Sequence, residues 1–170
     1  MNTENPYAPP KAPVSDFPEG NADRALASRS QRLGAAILDS IIQSVCIVPL
    51  FWVTGIWGMM MHTRGLPAAS LLTVGLLSAA VFVIINGYFL KTNGQTLGKR
   101  LVGIRIVTLD GEIPPLARTL GLRYGPVWLV SFIPGVGSLA GLIDVLFIFR
   151  ADHRCVHDHI AGTRVLRAPA

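Results

Sequence analysis

The chain has 170 residues, of which 51% are hydrophobic and 15% charged, with a mean hydropathy of +0.48. A soluble domain carries about a quarter charged residues, and here the apolar residues stand in long runs, so the expected class is a small polytopic membrane protein. The formal net charge of +5 does not point to nucleic acid, because the basic residues flank the apolar runs, where membrane insertion requires them, and line no helical face. The partner expected from composition is therefore a lipid bilayer.

Residues 1 to about 24 contain five prolines and almost no large apolar side chains. They are expected to be part of a disordered tail over residues 1–28. No apolar core preceded by positive charge occurs there, so no cleavable signal peptide is expected. The first apolar run, LGAAILDSIIQSVCIVPLFWVTGIWGMM, covers residues 33–60. A bilayer core takes about 20 residues of helix, so the run is long enough to span, with Pro49 as a kink and Trp52 and Trp57 at the far interface. A second run, AASLLTVGLLSAAVFVIINGYFL over residues 68–90, returns. Arg64 is the one basic residue between the two runs. Positive loops stay inside, which places both termini and residues 91–115 on the cytoplasmic side of a bacterial inner membrane.

The 91–115 segment is too polar to span. Within it LVGIRIVTL alternates and is rich in β-branched residues, Asp110-Gly111 is a turn signal, and GTRVLR near the end of the chain has the same character, so a small strand pair at the membrane surface is expected. As one helix, residues 116–149 would be about 50 Å long, too much for a bilayer. Pro134-Gly135 offers a break and Pro126 a second interruption, giving a hairpin of two short or partly re-entrant helices, in which Gly137 and Gly141 would let a neighbour approach. Cys46 and Cys155 belong to different depths, so no disulfide is expected. The fold class is thus an all-α membrane protein, with two transmembrane helices, a short transmembrane or re-entrant helical hairpin and a small cytoplasmic strand pair.

The residues that could carry chemistry lie inside these runs. Arg32 and Asp39 are seven residues apart, which brings them within about 20° of one another on a helix, and Gln43 continues the stripe. Asp39 lies about 10 Å from the cytoplasmic start of its helix. Asp144 is six residues from Arg150 and Asn86 five from Lys91, so three polar residues on three helices fall at similar depths. A charge at the centre of a membrane helix costs about 2.5 to 3.5 kcal/mol, and such residues face a bundle interior or an aqueous cavity. Two carboxylates sharing such a site would raise at least one pKa, the physics of a proton or monovalent-cation relay. The competing reading is interhelical glue, with Arg32 on Asp39 and Asp144 on Arg123 or Arg150. Buried polar contacts in one membrane bundle average only about 0.6 kcal/mol, which explains a costly aspartate poorly.

Three other motifs are set aside. GQTLGKR has three residues between its glycines and Arg100 after Lys99, so it is not a phosphate loop. HRCVHDH, residues 153–159, holds His153, Cys155, His157 and His159, but no second cluster closes a tetrahedral site, so no metal and no cofactor is expected. No Ser or Cys stands in a nucleophile-type turn, and no enzymatic activity is expected.

RLGAAILD (residues 32–39), GQTLGKRLVGIRIV (94–107) and HDHIAGTRVL (157–166) together resemble the RDD family of small bacterial membrane proteins, named for an arginine and two aspartates. Arg32 and Asp39 match the arginine at the start of the family's first helix and the aspartate in its middle. For the second aspartate, Asp158 matches the ending motif, while depth selects Asp144. The resemblance covers residues 29 to 167 and implies a membrane fold. For some members transport of ions or other ligands is suggested.

Two functions follow as expectations. The first is a transport component exchanging protons for monovalent cations through Asp39 and Asp144, with Arg32 tuning Asp39 and Asn86 as a neutral ligand, in a homo-oligomer or with another membrane protein. The second is a non-transporting scaffold or accessory subunit.

Overall fold

A computed structural model describes residues 26–62, 67–133, 136–150 and 153–168. The Pro-rich segment before residue 26, Arg64 and Pro134-Gly135 lie outside them. Helix α1, Arg29–Val53, begins with a capping box in which Ser28 Oγ accepts from Gln31 N and Gln31 answers at the Ser28 N–H. Pro49 lies inside α1 without ending it. The first apolar run is not one helix to residue 60. Gly55, with φ +74°, turns the chain, and a second helix, α2, follows over Ile56–His62.

Helix α3, Ala68–Asn93, is the second long apolar helix. Gly94 ends it in the left-handed region (φ +65°), where a Cβ would meet Ile106 O at 2.4 Å. A short helix, α4 (Leu97–Val102), leads into β1, Ile104–Thr108. β1 pairs antiparallel with β2, Thr163–Arg167, in the register Ile106 opposite Val165. The strand pair expected from alternation is therefore present. Ile104, Ile106 and Val165 form the core beneath it with Ala27, Ala35 and Leu90.

The third apolar region is a helical sequence in pieces. A single turn, α5 (Leu116–Arg118), continues through a π-helical stretch, Thr119–Tyr124, into α6, Gly125–Ser131. Pro126 does not end the helical run, and it stands where the π-helical stretch gives way to α6, at the second position of α6. Helix α7, Val136–Leu146, runs on through a 3₁₀ turn to Phe149, and α8, Val156–Ala161, precedes β2. Arg118 Nε donates to Ala161 O at 2.9 Å, and Arg29 Nη2 donates to Phe149 O at 3.3 Å. Both ends of the region therefore sit beside the start of α1 and the sheet, as a hairpin requires. A Cβ on Gly75 would strike the Phe132 ring at 2.2 Å. Phe132 thus lies level with a point about 10 Å inside the far end of α3.

Two helices, α1 and α3, are long and apolar enough to cross a membrane, and only 6% of each helix's most apolar window is buried within the chain. A soluble core helix would be mostly buried. Nor does α1 stand apart like a leader, because Ala35 is wholly buried and Arg32 nearly so.

Candidate functional site: three polar centres at one end of the helices

Asp39 and Asp144 have separate partners, while Asp144 and Asp158 share a neighbour in His157, whose Nδ1 lies 2.6 Å from Asp144 Oδ2 and whose Nε2 lies 3.9 Å from Asp158 Oδ1. The structure distributes the carboxylates among three centres. The first is built on Asp158, wholly buried on α8. Arg32, from the first turn of α1, donates to Asp158 Oδ2, and Arg123, from the π-helical stretch, donates to Oδ1. Arg123 also reaches Thr163 Oγ1 at 2.7 Å, and Cys155 N donates to Asp158 Oδ2 at 3.1 Å. Burial alone would raise the Asp158 carboxyl. The two guanidinium groups more than reverse that and hold it well below the usual carboxylate range. Arg32 therefore serves Asp158, not Asp39 as spacing along one helix implied. Its other contacts are His153 O and, at 3.5 Å, Cys155 Sγ. Burial pushes the Cys155 thiol up to about 11.

The second centre joins α1 and α3 to α4. Asp39 Oδ1 accepts from Gly98 N at 2.7 Å, Thr96 Oγ1 donates to its Oδ2, and Lys99 Nζ stands 3.6 Å away. Asn86 Oδ1 accepts from Leu97 N at 2.9 Å. Two residues expected to line a pathway instead satisfy the first N–H groups of α4, which no helix can satisfy internally. The approach is close enough to demand glycine, since a Cβ on Gly98 would lie 2.3 Å from Ala35 O and 2.8 Å from Asp39.

The third centre pairs Asp144 with His157, not with an arginine. His157 N donates to Asp144 Oδ1 at 3.0 Å, and His157 Nδ1 lies 2.6 Å from Oδ2. Burial, with the Arg123 charge behind it, lowers the His157 pKa and favours the neutral ring. Gln43 joins none of the three. Its Nε2 donates to Ser78 O at 2.9 Å, bridging α1 to α3, and its Oε1 is buried without a partner.

Thr96 and Lys99 are participants that sequence reasoning left unassigned, Arg123 was set against Asp144 instead of Asp158, and His157 was weighed only as a metal ligand. Arg123 carried a signal: it is a charge set between apolar neighbours in GLRYGPVW. His157 carried less, since HRCVHDH offers three histidines and nothing in the motif selects one of them.

The family model of the RDD family matches residues 26–162. The chain belongs to the RDD family. It is 35% identical over 140 residues to the uncharacterized protein YckC of Bacillus subtilis (strain 168), covering 81% of this chain and 82% of that one. An uncharacterized protein of Haemophilus influenzae (strain ATCC 51907 / DSM 11121 / KW20 / Rd) is 29% identical over 96 residues, 55% of this chain and 58% of that one. No solved structure matches.

Proposed function

We propose that the chain is an integral membrane protein that acts as a non-transporting scaffold or accessory subunit. Helices α1 and α3 cross a bacterial inner membrane, with both termini, α4 and the sheet on the cytoplasmic side. Membrane placement rests on the outward faces of the two helices: Ile41, Val45, Trp52, Leu72, Leu76 and Ile84 are all more than half exposed. In water such a surface would associate or aggregate; in hydrocarbon it costs nothing.

The observation that carries the role is the engagement of the carboxylates. Asp39, Asp144 and Asp158 each already accept from N–H or cationic donors of the same chain. A relay needs a carboxylate that can exchange its partner for a proton or a cation. One observation favours transport as a second reading. A cavity of about 650 Å³, lined by Gln43, Ser78, Phe82, Trp128 and Phe132 among others, lies between α1, α3 and α6 and has the size of a small-molecule site.

Single-cysteine accessibility tests the placement in a chain with Cys46 and Cys155 replaced by serine. Cysteines at Ser30, Asp110 and Arg167 are expected to resist a membrane-impermeant maleimide in intact cells and to react after lysis. A cysteine at Thr54 is expected to react in both. Reaction of Asp110→Cys in intact cells would overturn the orientation, and release of the protein by alkaline washing would overturn the membrane assignment itself.

A further inference from the structure

The HRCVHDH segment lacks a second cluster in the sequence, but the fold supplies the missing ligand from α7. Asp144, Cys155 and His157 each offer one ligand atom, and the three atoms lie within 4.8 Å of one another. They come from two segments, the end of α7 and the entry to α8, which the Asp144–His157 bonds already hold together. From these positions we propose that Asp144, Cys155 and His157 form a site for a divalent transition metal of the zinc class. This proposal bears on the scaffold reading at one point: Asp144 would exchange its bond to His157 for a resident ion held in place, which passes no charge across a membrane.

Three features beyond the ligand count support the site. The donor set is one carboxylate oxygen, one imidazole nitrogen and one thiolate sulfur, the borderline mixture that zinc accepts and that calcium or magnesium does not. The charge also closes, since a carboxylate and a thiolate balance a divalent ion while a neutral imidazole adds nothing. Finally, Asp144 and His157 line a cavity of about 220 Å³ between α6, α7 and α8, otherwise walled by apolar residues including Val130, Gly141 and Ile160. That cavity gives an entry path and room for a fourth ligand, the open position that three-ligand zinc sites keep.

Binding requires small movements. Ligand atoms around a tetrahedral zinc ion stand about 3.3 Å apart, given metal–ligand lengths of about 2.0 to 2.1 Å for oxygen and nitrogen. Asp144 Oδ2 and His157 Nδ1, now 2.6 Å apart, must separate. The metal replaces the proton they share, and the Cys155 thiol must give up its own proton to become a ligand. Arg32 Nη2, 3.5 Å from the sulfur, must swing aside from it while remaining on Asp158. The backbone that carries the sulfur is held in place, because Cys155 N donates to Asp158 Oδ2 at 3.1 Å.

The test uses full-length protein purified in detergent, reduced, stripped with chelator and titrated with Co²⁺. The expected result is one Co²⁺ per chain with a thiolate-to-cobalt charge-transfer band and intense visible absorption of tetrahedral type. Zn²⁺ is expected to displace it. Cys155→Ser should abolish the charge-transfer band, while Asp144→Asn and His157→Ala should each abolish stoichiometric uptake. Circular dichroism checks that each variant retains its helices, and Cys155→Ser, nearly isosteric, is the variant that keeps the test valid if the other two misfold. Absence of uptake by the wild-type chain overturns the proposal, as does a charge-transfer band that survives in Cys155→Ser.

Discussion

The two ends of α1 are held by different physics. At its start, Arg32 is 9% exposed and clasped by Asp158, Ala35 is wholly buried, and Asp39 caps α4. Towards its other end, Val45, Trp52 and Val53 are 68%, 75% and 82% exposed, and Gln43 supplies a hydrogen bond to α3. Charged, directional bonds gather at the end where α4, the sheet and α8 meet. The far end leaves its apolar surface uncovered by the chain, and in the proposed bilayer those side chains would gain nothing by touching one another rather than hydrocarbon. At the polar end, Asp39, Asp144 and Asp158 each hold donors of the same chain.

Breaking the polar end should cost most. Asp158→Asn leaves two buried guanidinium groups facing a neutral amide, and thermal or denaturant unfolding in detergent is expected to show a loss of about 3–5 kcal/mol, as for other buried pairs that lose one partner. Next comes Gly98→Ala, whose new methyl meets backbone at 2.3 Å. It should cost about 1–3 kcal/mol and loosen α4 from α1, read by faster amide exchange at Leu97 and Gly98. Asp39→Asn keeps an acceptor for Gly98 N but loses the charge facing Lys99, and a smaller loss of about 1 kcal/mol is expected.

Acid sharpens the same contrast. His157 has a lowered pKa in the folded chain, so the unfolded chain binds the proton more readily. In metal-free protein, stability should therefore fall as pH drops below about 6.5. Asp158 adds a second decline below about 3.9, because its folded pKa is depressed and its contribution is lost as pH falls towards that value. An acid-melting curve that is flat down to pH about 5 would remove the His157 component. The smallest effect belongs to the far end: Gln43→Leu is expected to cost about 0.6 kcal/mol, the average for polar contacts between membrane helices.

Much of the architecture was legible because it is local. Runs of more than twenty apolar residues announce α1 and α3, and β-branched alternation announces Ile104–Thr108 and Thr163–Arg167. The turn at Gly55 was not, since apolar residues continue on both sides of it and only a positive φ ends the helix. The polar centres were half legible. Helical spacing correctly put Arg32, Asp39 and Gln43 within the first helix, but a shared face says nothing of what sits opposite. Arg32 finds its partner 126 residues away, and Asp39 finds Thr96, Gly98 and Lys99 in a segment that looked like a loop. Depth, counted from flanking charges, placed Asp39, Asn86 and Asp144 at one level but could not tell that each faces its own donors.

If the aspartates serve the chain's own structure, no ion passes across the membrane through them. The most direct measurement is pH-driven sodium and potassium flux in proteoliposomes, comparing wild type with Asp39→Asn and Asp144→Asn, each checked for fold. No flux above empty liposomes is expected in any of them. Wild-type flux that disappears in the folded aspartate variants would contradict this expectation and make Asp39 and Asp144 a relay.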